Sequence, residues 1–214
     1  MKLIPTVLAY DKKEFTRLFK KITSATNDIQ VDFMDGRFVD TKSITLEQAP
    51  SVKKYKKKRF EAHIMVAEPM PWAVELLRKG YTRILFHYEA MDPEDIRRGC
   101  KLIRKLGGKA LLALNPSTPV KKILPHLDDV DGILFLGVVP GQNGAPYVQE
   151  TPQRIKELRK HYSGEIQVDG GMTDATIHDV VAAGATRVNS GSFVSNAADP
   201  KAAISRLQAA ARGE

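Results

Sequence analysis

Strict alternation constrains this chain more than any other feature: apolar, β-rich runs and longer helical patterns take turns from one end to the other. Residues 3–9 read as a strand, and residues 12–22 as a helix with Phe15, Leu18, Phe19 and Ile22 along one face. Further strands are expected at 29–34, 60–66, 83–88, 109–114, 133–138, 166–169 and 187–190. Helices are expected within 37–57 and at 71–79, 93–106, 120–127, 152–161, 175–183 and 200–211. Pro71 in a first turn and Gly80 just past a last one suit helix ends. The pattern makes eight strand–helix units in 214 residues.

Such alternation specifies an α/β protein with a parallel sheet, either open and doubly wound or closed. Eight units favour closure, so the expected fold is a single (β/α)8 TIM barrel over residues 1–214. Placement of the polar residues agrees. Asp32, Asp35, His63, His87, Asn115, Asp169, Asn189 and Ser190 fall at strand C-terminal ends, where barrels gather function, whereas an open sheet would collect them at one switch point. No linker or low-complexity tract interrupts the pattern.

Charge narrows the partners. Lys and Arg number 33 against 25 Asp and Glu, a formal net charge of +8. The densest basic run, Lys53 to Arg59, stands beside no nucleic-acid motif and reads as a solvated loop, so no nucleic acid is expected; a small anionic substrate fits the excess. Cys100 is the only cysteine and suits a reducing cytoplasm. No run approaches membrane-spanning length, and the N-terminus lacks the form of a signal peptide.

Three segments carry chemistry. In Gln30-Val31-Asp32-Phe33-Met34-Asp35, strand alternation puts Asp32 and Met34 on one face, and a carboxylate on an apolar strand is costly unless it binds something. Asp35 reads as a loop cap. His63 lies among apolar residues on the third strand, and barrel geometry brings it to the same mouth as Asp32 and Asp169. Gly170 and Gly171 follow Asp169, and Gly191 and Ser192 follow the eighth strand. Loops in these two places bind phosphate in many barrels. Trp72 and Tyr81 read as packing residues, and His126, His161 and His178 as exposed.

These segments resemble ribulose-phosphate 3-epimerases in order and spacing over essentially the whole chain. The resemblance is carried by Pro5-Thr6-Val7-Leu8, by Val31 to Val39 with its Met34-Asp35-Gly36 core, and by Ala62 to Val66. Phe86 to Glu89, Asn115-Pro116-Ser117-Thr118-Pro119, Pro140-Gly141, Val168 to Gly171 and Gly191-Ser192 extend it. It implies a cytoplasmic isomerase of carbohydrate metabolism, in the pentose phosphate pathway, that acts on a phosphorylated ketose and forms a homo-oligomer. It implies that Asp32 and Asp169 exchange protons on opposite faces of C3 in ribulose 5-phosphate and xylulose 5-phosphate. A divalent metal ion (Zn, Fe, Mn or Mg) would be held by Asp32, His63 and Asp169. Thr6, Met34, Met65, Gly141, Gly144, Gly170, Gly171, Gly191 and Ser192 would line the substrate and phosphate site.

The chain departs from the family pattern near that site. Gln30 stands where the resemblance places a metal-binding His, and would offer at best a neutral oxygen. Ala9 replaces a serine, Leu136 a third methionine and Val139 an asparagine, and the glycine-rich segment Pro140-Gly141-Gln142-Asn143-Gly144-Ala145-Pro146-Tyr147 lacks one glycine and a glutamine of the family pattern. The alternatives are a ketohexose-phosphate epimerase, an enediolate lyase of the same superfamily, or a sugar-phosphate binder without catalysis, the last favoured by Gln30 and Ala9.

Overall fold

The computed structural model describes residues 1–141 and 144–214; Gln142 and Asn143 lie outside the described residues. The eight strands are β1 (Lys2–Val7), β2 (Asp28–Met34), β3 (Arg59–Met65), β4 (Arg83–His87), β5 (Lys109–Leu114), β6 (Gly132–Leu136), β7 (Glu165–Asp169) and β8 (Arg187–Ser190). Each pairs in parallel with the next, and β8 returns to β1 with Lys2 opposite Arg187 and Pro5 opposite Ser190. The sheet is therefore the closed (β/α)8 barrel expected from the alternation.

Closure divides each strand between two environments. On β2, Ile29, Val31 and Phe33 face outward and are fully buried beneath the helices, while Gln30, Asp32 and Met34 face inward. Phe33 meets Trp72 and Tyr81 at ring distances of 5.8 and 5.9 Å, so both act as packing residues. The inner face is itself divided. Leu85, Leu111, Ala113, Leu134 and Leu136 fill the side formed by β4, β5 and β6 with apolar atoms. The side formed by β2, β3, β7 and β8 is polar, and it carries Gln30, Asp32, Glu61, His63, Gln167, Asp169 and Asn189.

The helices are α1 (Lys12–Ala25), α2 (Pro69–Arg78), α3 (Pro93–Lys105), α4 (Thr151–Arg159), α5 (Ile177–Ala182), α6 (Ser192–Ser195) and α7 (Pro200–Arg212). Their starts follow ordinary cap chemistry: Asp11 Oδ1 accepts from the N–H groups of Lys13 and Glu14, and α2 opens on Pro69, two residues earlier than expected.

Two expected helices do not form. Among the described residues none spans 37–57; the segment holds turns and one bridge from Asp35 to Lys42. Its short polar side chains bond locally instead: Ser43 Oγ accepts from Met34 N–H, and Thr45 and Gln48 bond each other's backbone. Residues 120–127 form two short 3-10 turns, Val120–Lys122 and Leu124–His126, because Pro125 cannot donate the bond a continuous helix would need. This geometry also buries His126, which is only 4% exposed, while His161 and His178 are exposed as expected. Cys100 is buried inside α3. No helix among the described residues is long and apolar enough to cross a membrane.

Candidate active site

The register of β2 against β3 sets Asp32 beside His63, and β7 ends with Asp169 on the same interior. One ligand atom from each of Asp32, His63 and Asp169 can be chosen so that all lie within 4.8 Å of one another. His63 Nδ1 stands 3.5 Å from Asp32 Oδ1 and 3.5 Å from Asp169 Oδ2, too far for a hydrogen bond to either. Gln30 reaches the same carboxylates from below, its Nε2 donating to Asp32 Oδ1 at 2.8 Å and to Asp169 Oδ2 at 2.5 Å. As a metal ligand Gln30 would have to present its oxygen. The structure presents its nitrogen, and the oxygen accepts from Asn189 Nδ2 at 2.7 Å.

Behind His63 runs a second line of polar groups. His63 Nε2 lies 2.9 Å from His87 Nε2, with the rings stacked, and His87 Nδ1 lies 3.3 Å from Glu89 Oε2. Glu89 is fixed in turn by Thr118 Oγ1 and the N–H of Asn115. Arg154 donates to the carbonyls of Asn115 and Thr118, which pins the loop that carries them.

A carboxylate only accepts, so the proton of His87 belongs on Nδ1, facing Glu89. Its bare Nε2 then accepts from His63 Nε2–H. That assignment leaves His63 Nδ1 as a lone pair aimed between two carboxylates, an arrangement that demands a proton or a cation.

The electrostatics agree. Burial pushes Asp32 up to about 6, opposed by the nearby His63 imidazole and helped by the charge of Asp169. Burial alone would pull His63 down, but Asp169 and Asp32 outweigh it and hold the imidazole at about 9. Burial pulls His87 down to about 4, keeping it neutral. The donor set of two carboxylate oxygens and one imidazole nitrogen, with its otherwise unpartnered Nδ1, fits a divalent cation.

Above this cluster opens a cleft of about 320 Å³. Thr6, Asp32, His63, Met65, Gly141, Gly144, Asp169, Gly170, Gly171, Gly191 and Ser192 all line it. Met34 is set back, packed with Leu8 and Met65. Leu136 reaches the lining; Val139 points outward and is 66% exposed. Gly171 has φ +70°, and a side-chain carbon there would come within 2.7 Å of the Tyr147 ring, so only glycine lets the loop lie bare against the cleft. Thr176 Oγ1 braces this loop by donating to the Gly171 carbonyl at 2.7 Å. Asp35 stays out of the cluster: its carboxylate caps the following loop through the N–H groups of Arg37 and Phe38 and ties down Ala67 N–H, and these bonds hold it below the usual carboxylate range despite burial.

The sequence profile of the ribulose-phosphate 3 epimerase family matches residues 2–195. The chain belongs to that family. Among curated proteins, the chloroplastic ribulose-5-phosphate-3-epimerase of Arabidopsis thaliana is 31% identical over 97% of this chain and 76% of its own length. A ribulose-phosphate 3-epimerase from Mycobacterium tuberculosis is 32% identical over 96% of this chain and 91% of its own. Among solved structures, 3-hexulose-6-phosphate synthase from Salmonella typhimurium superposes with a TM-score of 0.74 over 100% of this chain and 99% of its own. At 15% identity it shares the barrel, and the likeness is one of fold.

Within this epimerase family member, sequence reasoning missed Glu61, Gln167, Tyr147, Thr176 and Arg154. It placed His87 and Asn189 together at strand C-terminal ends, whereas the structure sets Asn189 lower, bonded to Gln30, Glu61 and Gln167. An inward-facing Glu on a barrel strand was the available signal, since such a charge requires buried partners.

Proposed function

We propose that this chain interconverts ribulose 5-phosphate and xylulose 5-phosphate by moving a proton at C3 between Asp32 and Asp169. The observation that carries the reading is the pair itself: two buried carboxylates, on strands separated by β8 and β1, converging at the floor of one cleft. Inversion at a carbon beside a carbonyl needs a base on one face and an acid on the other, because a single base mostly restores the starting configuration. Asp32, held at about 6, suits a group that is to gain and lose a proton near neutrality.

In this reading Asp32, His63 and Asp169 would hold a divalent cation, which would supply Lewis-acid stabilisation of negative charge developing beside the carbonyl. His87 and Glu89 keep the His63 lone pair directed at that position. The glycine loops at Gly170–Gly171 and Gly191–Ser192 take the phosphate, and Met65, with Met34 behind it, covers the reacting carbon with apolar surface.

Metal-stripped protein incubated with ribulose 5-phosphate in deuterated water, with single divalent ions restored, is the test. Deuterium at C3 together with xylulose 5-phosphate is expected, and Asp32→Asn and Asp169→Asn should each lose at least about a hundredfold in exchange rate. Gln30, as a donor where a ligand is expected, is the feature that keeps a second reading in play, a sugar-phosphate binder. Tight binding of the sugar phosphate with no exchange under any ion would establish that reading and overturn the epimerase.

A further inference from the structure

Gln30 is buried, faces two carboxylates with its nitrogen, and has its orientation set by charges at both ends of a chain of amides. The chain starts at Glu61, 2% exposed, whose Oε2 accepts from Arg83 Nε at 3.1 Å and Arg187 Nη2 at 2.9 Å. Its Oε1 accepts from Asn189 Nδ2 at 3.0 Å and from Gln167 Nε2 at 2.5 Å. A carboxylate held by two arginines offers only acceptor oxygens, so Asn189 must turn its nitrogen to it. The second proton on that nitrogen goes to Gln30 Oε1 at 2.7 Å. Gln30 Nε2 is thereby left facing Asp32 and Asp169, with one proton for each.

Reversing Gln30 would set its oxygen against two carboxylate oxygens and its nitrogen against that of Asn189. Its contacts with Asp32, Asp169 and Asn189 would each become like facing like, and only the 3.5 Å contact with the Thr6 hydroxyl could adapt.

We infer that Gln30 is a positioning residue whose amide, locked by Asn189 and Glu61, bridges Asp32 and Asp169 as a double donor. It occupies the place of a fourth ligand without being one. The bridge holds the carboxylate pair together in the metal-free protein, and it leaves a cation only three protein ligands and a weaker, more exchangeable hold. The catalytic meaning of the bridge rests on the reading of Asp32 and Asp169 as the proton-transfer pair. Its existence does not, and the experiments below use no substrate, so a failure of epimerisation and a failure of the bridge are separately visible.

The first experiment observes side-chain amides by proton–nitrogen NMR in the metal-free protein. The Gln30 pair, assigned by its loss in Gln30→His, is expected downfield and slow to exchange with water compared with exposed Gln208. The second measures zinc binding by competition with a chromophoric chelator. Gln30→His should tighten zinc by at least about tenfold, since even groups behind the ligands are commonly worth that much. Asn189→Leu, which removes the lock, should also tighten it, by freeing the Gln30 oxygen to turn. Gln30→Glu, similar in shape but a third carboxylate, should melt earlier than the parent without metal and recover when manganese is added.

A Gln30 amide resonating and exchanging like that of Gln208 would overturn the inference. So would zinc affinities unchanged in Gln30→His and Asn189→Leu. Should Gln30→Glu not fold with or without ion, the parent spectrum and the Gln30→His titration decide the matter.

Discussion

His63 shows how far two neighbours can displace a side chain from its solution chemistry. Its ordinary value is 6.5, and against burial the two carboxylates hold it at about 9 in the metal-free protein. A raised value in the folded state means that the folded form binds the proton more tightly than the unfolded chain. The resulting stability is therefore complete below about 6.5 and is lost as pH rises through about 9. His87, pulled down to about 4, has the opposite sign: its contribution is present above 6.5 and is lost as pH falls toward 4. Melting midpoints of metal-free protein should accordingly decline between pH 6.5 and 9, and His63→Asn should remove most of that decline. A cation on Nδ1 must displace the same proton, so zinc or manganese affinity should climb across that window and level off above it. A zinc affinity independent of pH from 6.5 to 9 would show that His63 is not protonated between the carboxylates.

At the scale of elements, the strands hold the reacting groups and the loops shape what they meet. The β7–α5 loop is a case in point. Gly171 adopts φ +70° against the Tyr147 ring, and Thr176 ties its carbonyl down. Gly171→Ala adds both left-handed backbone strain and a contact with that ring, so Tyr147 must retreat from the cleft. About 1–2 kcal/mol of stability should be lost. KM for the sugar phosphate should rise several-fold, read from initial rates, while Gly107→Ala, which meets nothing within 4 Å, should leave KM unchanged.

The same division explains what could be read from the sequence. The eight strands were legible because their period and composition are local, and Asp32, His63 and Asp169 were legible because polar residues on apolar strands stand out. Residues 37–57 were not: their turns depend on separate anchors, Ile44, Ala49 and Val52, buried at irregular spacing. The polarity of Gln30 was illegible for a stronger reason. It is decided by Glu61, 31 residues away, and by Asn189, 159 away, whose proximity exists only once the barrel closes.

Across the whole molecule, the polar half of the barrel interior is one connected column with different tasks at its two ends. The C-terminal end carries the carboxylate pair and the cleft. At the N-terminal end Arg83 and Arg187 clamp Glu61 and Glu165, with Arg and Glu side chains 2–25% exposed. Pairing there satisfies charges that closure would otherwise strand, and removing one partner of such a buried pair typically costs 3–5 kcal/mol.

Arg83→Met separates the two tasks. Arg187 still holds Glu61 at 2.9 Å, so the Asn189–Gln30 lock and the carboxylates above it should stay in place. The loss should sit at the lower end of that range, roughly 3 kcal/mol, or about 6–12 °C in Tm for a chain of this size. Turnover per folded molecule and KM should not change at temperatures well below the new midpoint. If kcat fell in step with stability while circular dichroism still showed a folded barrel, Glu61 would be held mainly by Arg83. The orientation of Gln30 would then depend on an ion pair at the far end of the barrel.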